Sequence, residues 1–147
     1  MGIESAIKVS LDRNAIKPTR GYKSDAGIDL YAPYSTIVPA HGYISIDTGI
    51  HVQIPPYFCG LLVSKSGLNV KHDITSTGLI DSGYSGSIVV KLYNHGDFSY
   101  RVDRGDSISQ LVILPCFIRD IEIVPDIEAG ERGNNGFGST SRGHGDV

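Results

Sequence analysis

Hydrophobic residues alternate with polar ones in short runs along most of the chain. Ile7, Val9 and Leu11 form the first run, and the stretch 43–54 repeats the pattern with a break at Thr48-Gly49. A period of two predicts half-buried β-strands, here spaced by roughly ten residues. Further strands are predicted over residues 26–32, 35–38, 58–63, 74–81, 87–93, 98–102, 108–114 and 120–124. Residues 64–68 interrupt them with a turn or a single helical turn, so the pattern indicates an all-β sandwich or barrel with little helix.

One predicted hairpin carries polar side chains at its tip. Residues 78–81 end on Asp81, Ser82-Gly83 follows, and Tyr84 comes directly after the bend. Two strands joined by Ser-Gly predict a tight turn in which Gly adopts a positive φ. Asp81 and Tyr84 are then expected to face one small cleft. On these residues alone, a turn-capping Asp and an edge Tyr explain the pattern equally well.

Length and composition favour one soluble domain of 147 residues. The net charge is -3 and the 13 basic residues form no block, so neither a nucleic-acid polymer nor a membrane is an expected partner. No leader or apolar stretch long enough to span a bilayer is apparent. Cys59 and Cys116 lie in apolar runs, which predicts buried free thiols in a reducing compartment. The expected location is cytoplasmic, or the cytoplasm or nucleus of a host cell for a viral protein.

The composition changes at about residue 129. Residues 1–128 are expected to form the folded domain, and the Gly-rich residues 129–147 a flexible C-terminal arm. The arm carries Arg132 and Phe137, which suit closure over a planar anionic ligand. A disordered tail with incidental residues is the alternative.

Three segments combine glycine with hydroxyl or basic side chains, as phosphate-binding loops do. They are Lys65-Ser66-Gly67, Gly105-Asp106-Ser107 with Gln110, and the stretch 132–140. None has P-loop or dinucleotide spacing, the five His residues have no zinc-ligand spacing, and no Ser is paired with a His for nucleophilic attack. The carboxylates beside glycines remain as candidates for a general base acting on water, with Mg²⁺ held mainly by phosphate oxygens. These are Asp29, Asp81 and Asp106.

Taken in order, five segments resemble the five motifs of the trimeric dUTPase family. They are residues 26–32 (AGIDLYA), 64–68 (SKSGL), 78–86 (GLIDSGYSG), 105–111 (GDSISQL) and 132–140 (RGNNGFGST). The resemblance implies a distorted jelly-roll homotrimer that uses Mg²⁺ to hydrolyse dUTP to dUMP and pyrophosphate. That activity keeps uracil out of DNA and supplies dUMP for dTMP synthesis.

The resemblance also implies a role for each motif residue. Asp81 orients the water that attacks the α-phosphorus, Tyr84 packs on the deoxyribose, and the backbone around Gly78 and Ile80 reads uracil. Asp29 organises the metal through water. In this family each site draws on more than one subunit, and the arm closes over a neighbour's pocket. The other implied substrate-binding residues are Lys65, Ser66, Gly67, Gln110, Arg132, Phe137, Gly138, Ser139 and Thr140.

Four positions depart from the family pattern. Lys65 replaces the usual Arg and so loses a planar fork of donors, while Gly83, Ser85 and Ser107 replace charged residues. We expect altered tuning rather than lost activity.

Two functions other than dUTP hydrolysis are alternatives. The related dCTP deaminases need a Glu where Lys91 stands, so deamination is disfavoured. A dUTP-gated regulatory protein that binds an unknown protein partner is the second alternative.

Overall fold

The computed structural model describes residues 6–140, which contain eleven strands and one short helix. In chain order these elements are β1 (Lys8–Leu11), β2 (Ile28–Tyr31), β3 (Thr36–Val38), β4 (Tyr43–Asp47), β5 (Ile50–Gln53), β6 (Phe58–Val63), α1 (Ser66–His72), β7 (Ile74–Thr75), β8 (Thr77–Asp81), β9 (Val89–Asn94), β10 (Tyr100–Val102) and β11 (Ser107–Pro115). The predicted all-β class is confirmed. Nearly every element up to β11 lies where the alternation placed a strand.

The strands form antiparallel sheets rather than a closed barrel among the described residues. The largest sheet has the order β2-β11-β6-β8, and a second has the order β4-β9-β7. Two pairs, β1-β5 and β3-β10, flank them. Connections that switch between sheets, as β8 to β9 does, give an architecture of the jelly-roll type. α1 is the only helix in residues 6–140, and at seven residues it is too short to cross a membrane.

The core lies between the sheets and takes one side chain from every second strand position. Its fully buried members include Leu30, Ile46, Ile50, Ile74, Ile88, Leu92 and Leu111. Gly60 on β6 faces this core, because a Cβ there would lie 2.8 Å from Leu111 Cδ1 and 2.9 Å from Ile54 Cδ1. Since strand side chains alternate, Cys59, Leu61 and Val63 point to the opposite, outer face of the large sheet.

Four local predictions need correction. β1 is exposed along its length rather than half-buried, because it pairs only with β5 at the margin of the fold. α1 continues for two turns, ending at Asp73 in the left-handed conformation with φ 55°. Residues 120–124 form no strand and are exposed, since no other described segment pairs with them. Cys59 and Cys116 are free but only half-buried.

Candidate active site

The predicted hairpin between residues 74–81 and 87–93 forms only at its base, where Ile74 and Thr75 of β7 pair with Asn94 and Tyr93 of β9. β8 pairs with β6, whereas β9 pairs with β4 and β7 in another sheet. β8 is consequently an edge strand, with one row of backbone N–H and C=O groups left for another partner. Gly78 and Ile80 belong to this edge. Their side-chain positions lie against Leu62 and Gly60, so their backbone rather than their side chains is available to a ligand.

The turn that follows β8 is a tight one without left-handed residues. The backbone N–H of Tyr84 donates to the carbonyl of Asp81 at 3.1 Å, which closes a four-residue turn over 81–84. Gly83 has no positive φ, contrary to the prediction, so the turn has the ordinary conformation that most residues adopt. Asp81 thus ends β8 as an exposed carboxylate, with Tyr84 three residues later at the same tip.

Tyr84 is held in a fixed position over the backbone of its own loop. Its hydroxyl donates to the carbonyl of Ser87 at 2.7 Å. A Cβ on Gly86 would clash with the Tyr84 hydroxyl and ring, so only glycine allows the ring to lie there. Gly86 was not among the predicted site residues. The bracketing of the segment by glycines was the only sequence signal that pointed to it.

Two side chains hold the loop 82–87 in place: Asp47 at the end of β4 and His51 on β5. The Ser87 hydroxyl donates to Asp47, and this bond with that of the Gly49 N–H lowers the pKa of the Asp47 carboxyl. His51 places Nδ1 2.8 Å from the carbonyl oxygen of Ser85. No sequence pattern pointed to this role, because His51 is one of five scattered histidines and occupies an outward position on β5.

A second group of predicted residues meets at the other end of β6. Lys65 Nζ lies 2.7 Å from Asp29 Oδ1, and both side chains are about three-quarters or more buried. Gln110 is opposite Asp29 on β11 and donates through Nε2 to the carbonyl of Ser64 at 3.1 Å. Ser66 begins α1, where backbone N–H groups lack intrahelical partners. We call Asp29, Lys65, Ser66, Gly67 and Gln110 the cradle.

The cradle and the loop 82–87 are far apart within one chain. Asp81 is opposite Cys59 on β6, and Gln110 is opposite Val63. Cys59 and Val63 are four residues apart along β6, which corresponds to about 13 Å. Between them the outer face is apolar: Leu61 is paired with Leu79 on one side and Val112 on the other. A triphosphate laid along this path would lose its hydration without gaining partners. One chain therefore does not bring its own Asp81 and cradle into a single polar site.

Cys59 and Cys116 lie beside Asp81, and the Cys116 thiol is a poor nucleophile. A hydrogen bond with Cys59, burial and, more weakly, the charge of Asp81 raise the pKa of the Cys116 thiol to about 11. The thiolate is the reactive form, so Cys116 is almost entirely in its unreactive form near neutral pH. The carboxylate of Asp81 is left as the group that can accept a proton at this tip.

The arm residues do not lie over either half of the site. Every residue from 129 to 140 is exposed, and Phe137 is fully so. Arg132 bonds within the arm, to the carbonyl of Asn135 at 2.9 Å and to the Ser139 hydroxyl at 3.0 Å. Gly138, Ser139 and Thr140 share this exposed position. The predicted range 129–147 extends past Thr140, and its last seven residues lie outside the described part.

No group of three or more potential metal ligands occurs in residues 6–140. Asp29 fits a supporting role at a metal site rather than that of a main ligand, because Lys65 Nζ lies 2.7 Å from its carboxylate and compensates its charge. Mg²⁺ retains most of its waters and binds readily to substrate phosphates with one or two carboxylates in support. The cradle fits such an ion only when phosphate oxygens supply most of its ligands.

Comparison with known proteins agrees with the motif resemblance. A sequence model of the dUTPase family matches residues 13–141. The deoxyuridine 5'-triphosphate nucleotidohydrolase of Eremothecium gossypii is 39% identical over 138 residues, which cover 91% of this chain and 90% of that protein.

Solved structures give the same result. The dUTPase of Staphylococcus bacteriophage 80alpha with dUpNHpp has a TM-score of 0.85 and 30% identity, and the match covers 92% of this chain and 98% of that one. A mutant dUTPase of phage phi11 of S. aureus, described with a structural Mg(II) ion, has a TM-score of 0.77 and 27% identity, and the match covers 83% of this chain and 98% of that one.

Lys91 stands at the position where a deaminase would need Glu. Its Nζ lies 4.1 Å from the centroid of the Tyr43 ring, so this residue does not provide a carboxylate for acid–base chemistry. This chain belongs to the dUTPase family.

Proposed function

We propose that the protein hydrolyses dUTP to dUMP and pyrophosphate. The observation that carries the proposal is the separation of β8 from β9, with Asp81 and Tyr84 at the mouth of the gap. A planar base that enters the gap meets the free backbone edge of β8 around Gly78 and Ile80. Backbone donors and acceptors at fixed spacing discriminate bases by hydrogen-bond pattern, because a mismatched base leaves polar groups unpaired.

Tyr84 supplies the selection for deoxyribose. Its ring is fixed by the bond to Ser87 and by contact with Gly86, so it does not move aside for an extra hydroxyl. A ribose 2′-OH against this ring loses its hydration and gains no partner. UTP is therefore rejected by steric conflict with the Tyr84 ring rather than by the loss of a favourable contact.

Asp81 acts as the general base. It accepts a proton from a water molecule as that water attacks the α-phosphorus, and pyrophosphate is the leaving group. When bound, Mg²⁺ would be held mainly by substrate phosphate oxygens, with Asp29 in support, and would supply charge neutralisation on the triphosphate. Lys65, Ser66, Gly67 and Gln110 bind phosphate oxygens, and Asp29 fixes Lys65 and accepts hydrogen bonds from metal-bound water. Lys65 acts as a point charge rather than a bidentate fork, in contrast to the usual Arg.

The active assembly is a homotrimer in which each site combines one chain's loop 82–87 with another chain's cradle. Support comes from the distance of about 13 Å between the two within one chain. It also comes from the apolar outer face around Leu61 and Leu79, which a second copy would cover.

The segment 117–127 points to the same assembly. It leaves the domain with apolar side chains that are almost wholly exposed and that alternate with acidic ones. Such a segment needs the surface of another copy, because a lone chain gives it nothing to pack against. The most exposed of these residues are Phe117, Ile121, Ile123 and Ile127, and Ile118 and Val124 are exposed to a lesser degree.

The arm, residues 129–147, completes the site from a neighbouring subunit. Arg132 binds outer phosphates, Phe137 stacks on uracil, and Gly138, Ser139 and Thr140 offer further donors. The exposure of every described arm residue in a single chain supports this, because these side chains remain accessible to a neighbouring subunit's ligand. Closure over bound nucleotide excludes bulk water and strengthens each charge interaction.

Pyrophosphate release from dUTP, dTTP, dCTP and UTP, each with and without Mg²⁺, tests the proposed function. We expect turnover of dUTP alone, strongly increased by Mg²⁺. Release of ammonia from dCTP, or no turnover of dUTP, would overturn the assignment.

A substitution at Gly86 tests the role of Tyr84. Gly86→Ala is expected to push the ring out of place and to break its bond to Ser87, because the new Cβ occupies the space of the Tyr84 hydroxyl. The ratio of kcat/KM for dUTP to that for UTP should fall about tenfold. Gly83→Ala is the matched control, since a Cβ there meets nothing within 4 Å. An unchanged ratio in Gly86→Ala would show that the ring does not set sugar selection.

A further inference from the structure

His51 joins the loop that carries Tyr84 to the first strand of the fold. Its Nδ1 lies 2.8 Å from the carbonyl oxygen of Ser85, and its Nε2 lies 2.9 Å from Asp12 Oδ1. His51 sits on β5, Asp12 follows β1, and Ser85 follows Tyr84 directly. The imidazole is thus a bridge between the framework and the loop 82–87.

Both partners of the imidazole are acceptors, and this fixes its protonation. A neutral imidazole has one N–H and can satisfy only one of them, whereas the imidazolium has two and satisfies both. The charges that face the ring are the carboxylates of Asp12 and Asp47, and Lys8 and Tyr84 line the same cavity of about 460 Å³. The bonds to Ser85 and Asp12, followed by the charges of Asp12 and Asp47, raise the pKa of His51.

We propose that His51 is a positioning residue for dUTP hydrolysis, whose protonated ring holds the loop 82–87 in the geometry that places Tyr84 against the deoxyribose. This rests on the proposed function, because it concerns the same site. His51 touches no substrate atom; it acts through the Ser85 carbonyl. When the ring loses a proton, the remaining one stays on the bond to the Asp12 carboxylate, which is the stronger acceptor. An imidazole lone pair then faces the Ser85 carbonyl, and the loop is released.

The direction of the pH effect follows from the raised pKa of His51. The imidazolium bridge is complete below the ordinary histidine value and is lost as the pH rises through the raised value in the folded protein. We expect KM for dUTP to rise about fivefold between about pH 6 and about pH 8.5. A factor of about five is the low end of the usual range for coupling between two sites. The expected change in kcat is less than about twofold, because Asp81 and its water are not part of the bridge.

Two variants and one control separate this role from a general loss of structure. His51→Gln has no charge to lose, so its KM should be high and flat over the same pH range. Asp12→Asn should give a low and flat KM, because the amide can donate to Nε2 while a neutral ring keeps its N–H for Ser85. His41→Gln is the control: His41 is paired with Asp97 at 2.8 Å, far along the chain from the loop, and the wild-type profile should persist. Any titration of the nucleotide itself is common to all four proteins.

A titration of the wild-type protein provides a test that does not depend on how a variant folds. If the imidazolium form binds nucleotide more tightly, saturating nucleotide must raise the pKa of His51 by the matching amount. The shift of the ring signal in NMR, with and without a non-hydrolysable dUTP analogue, measures this directly. An unshifted titration, or a wild-type KM that is flat with pH while dUTP is turned over, would overturn the role of His51 and leave the proposed function standing. Absence of dUTP turnover at every pH would instead reject the function.

Discussion

Asp81→Asn should retain dUTP binding and lose at least about a hundredfold in kcat, the usual contribution of a positioned general base. The amide has nearly the same shape as the carboxylate and keeps an acceptor oxygen, but it does not take a proton from the attacking water. The position is exposed at the end of β8, so the substitution leaves the core intact. Calorimetry with a non-hydrolysable dUTP analogue measures binding, and pyrophosphate release measures turnover.

The matched control for this substitution is Asp97→Asn. Asp97 is equally exposed and is paired with His41 at a distant turn, so the variant should behave as wild type. Normal turnover by Asp81→Asn would assign the base to another residue. Loss of binding together with turnover would instead give Asp81 a part in holding the nucleotide.

Mixing two inactive variants should restore activity if loop and cradle come from different chains. Lys65→Met removes the cradle's cation and leaves Asp29 facing the triphosphate, which should cost about a hundredfold in kcat/KM. In co-expressed trimers of Lys65→Met and Asp81→Asn subunits at equal amounts, half the loops and half the cradles are intact. About one site in four then combines an intact loop with an intact cradle, so activity should recover to about a quarter of wild type.

Two controls and one contrary result determine how the mixing experiment is interpreted. Separately purified variants mixed without subunit exchange should stay inactive, because no new pairs of chains form. Co-expression of wild-type subunits with subunits that carry both substitutions gives a second control. Half of the loops and the same half of the cradles are then defective. If co-expressed single variants remain inactive, each site is built within one chain and the triphosphate must cross the apolar face at Leu61.

Strand positions could be predicted from the sequence, whereas strand partners could be predicted only in part. The alternation of Ile50 and Val52 identified β5 because one face of that strand is buried, and burial sets the period. The same reasoning paired β8 with β9, since chain neighbours joined by a short turn usually form a hairpin. In the structure the first part of the predicted strand 74–81, β7, does pair with β9, whereas β8 pairs with β6 over five residues. That choice depends on segments far away in the chain.

The candidate site likewise contains residues that could be predicted from the sequence and residues that could not. Asp29, Lys65 and Gln110 were predicted from their motifs and do lie together, because motif residues belong to strands and turns that end at one place. His51, Gly86 and Asp47 were not predicted, since each acts through a backbone carbonyl or a hydroxyl that only the folded loop brings near. The sequence-based strand over 120–124 has strand-forming residues but no partner among the described residues, so its apolar side chains stay exposed.

In the proposed homotrimer, the exposed segment 117–127 makes the stability of this protein depend on its concentration. A chain that buries Ile121 and Ile123 only against another copy gains that free energy by association, so its melting temperature should rise with protein concentration. On dilution, the copies would dissociate before the individual domains unfold. Specific activity would then fall while the sheets of each chain remain intact. In a cell that makes little of the protein, the abundance of the chain itself would then act as a control on dUTP hydrolysis.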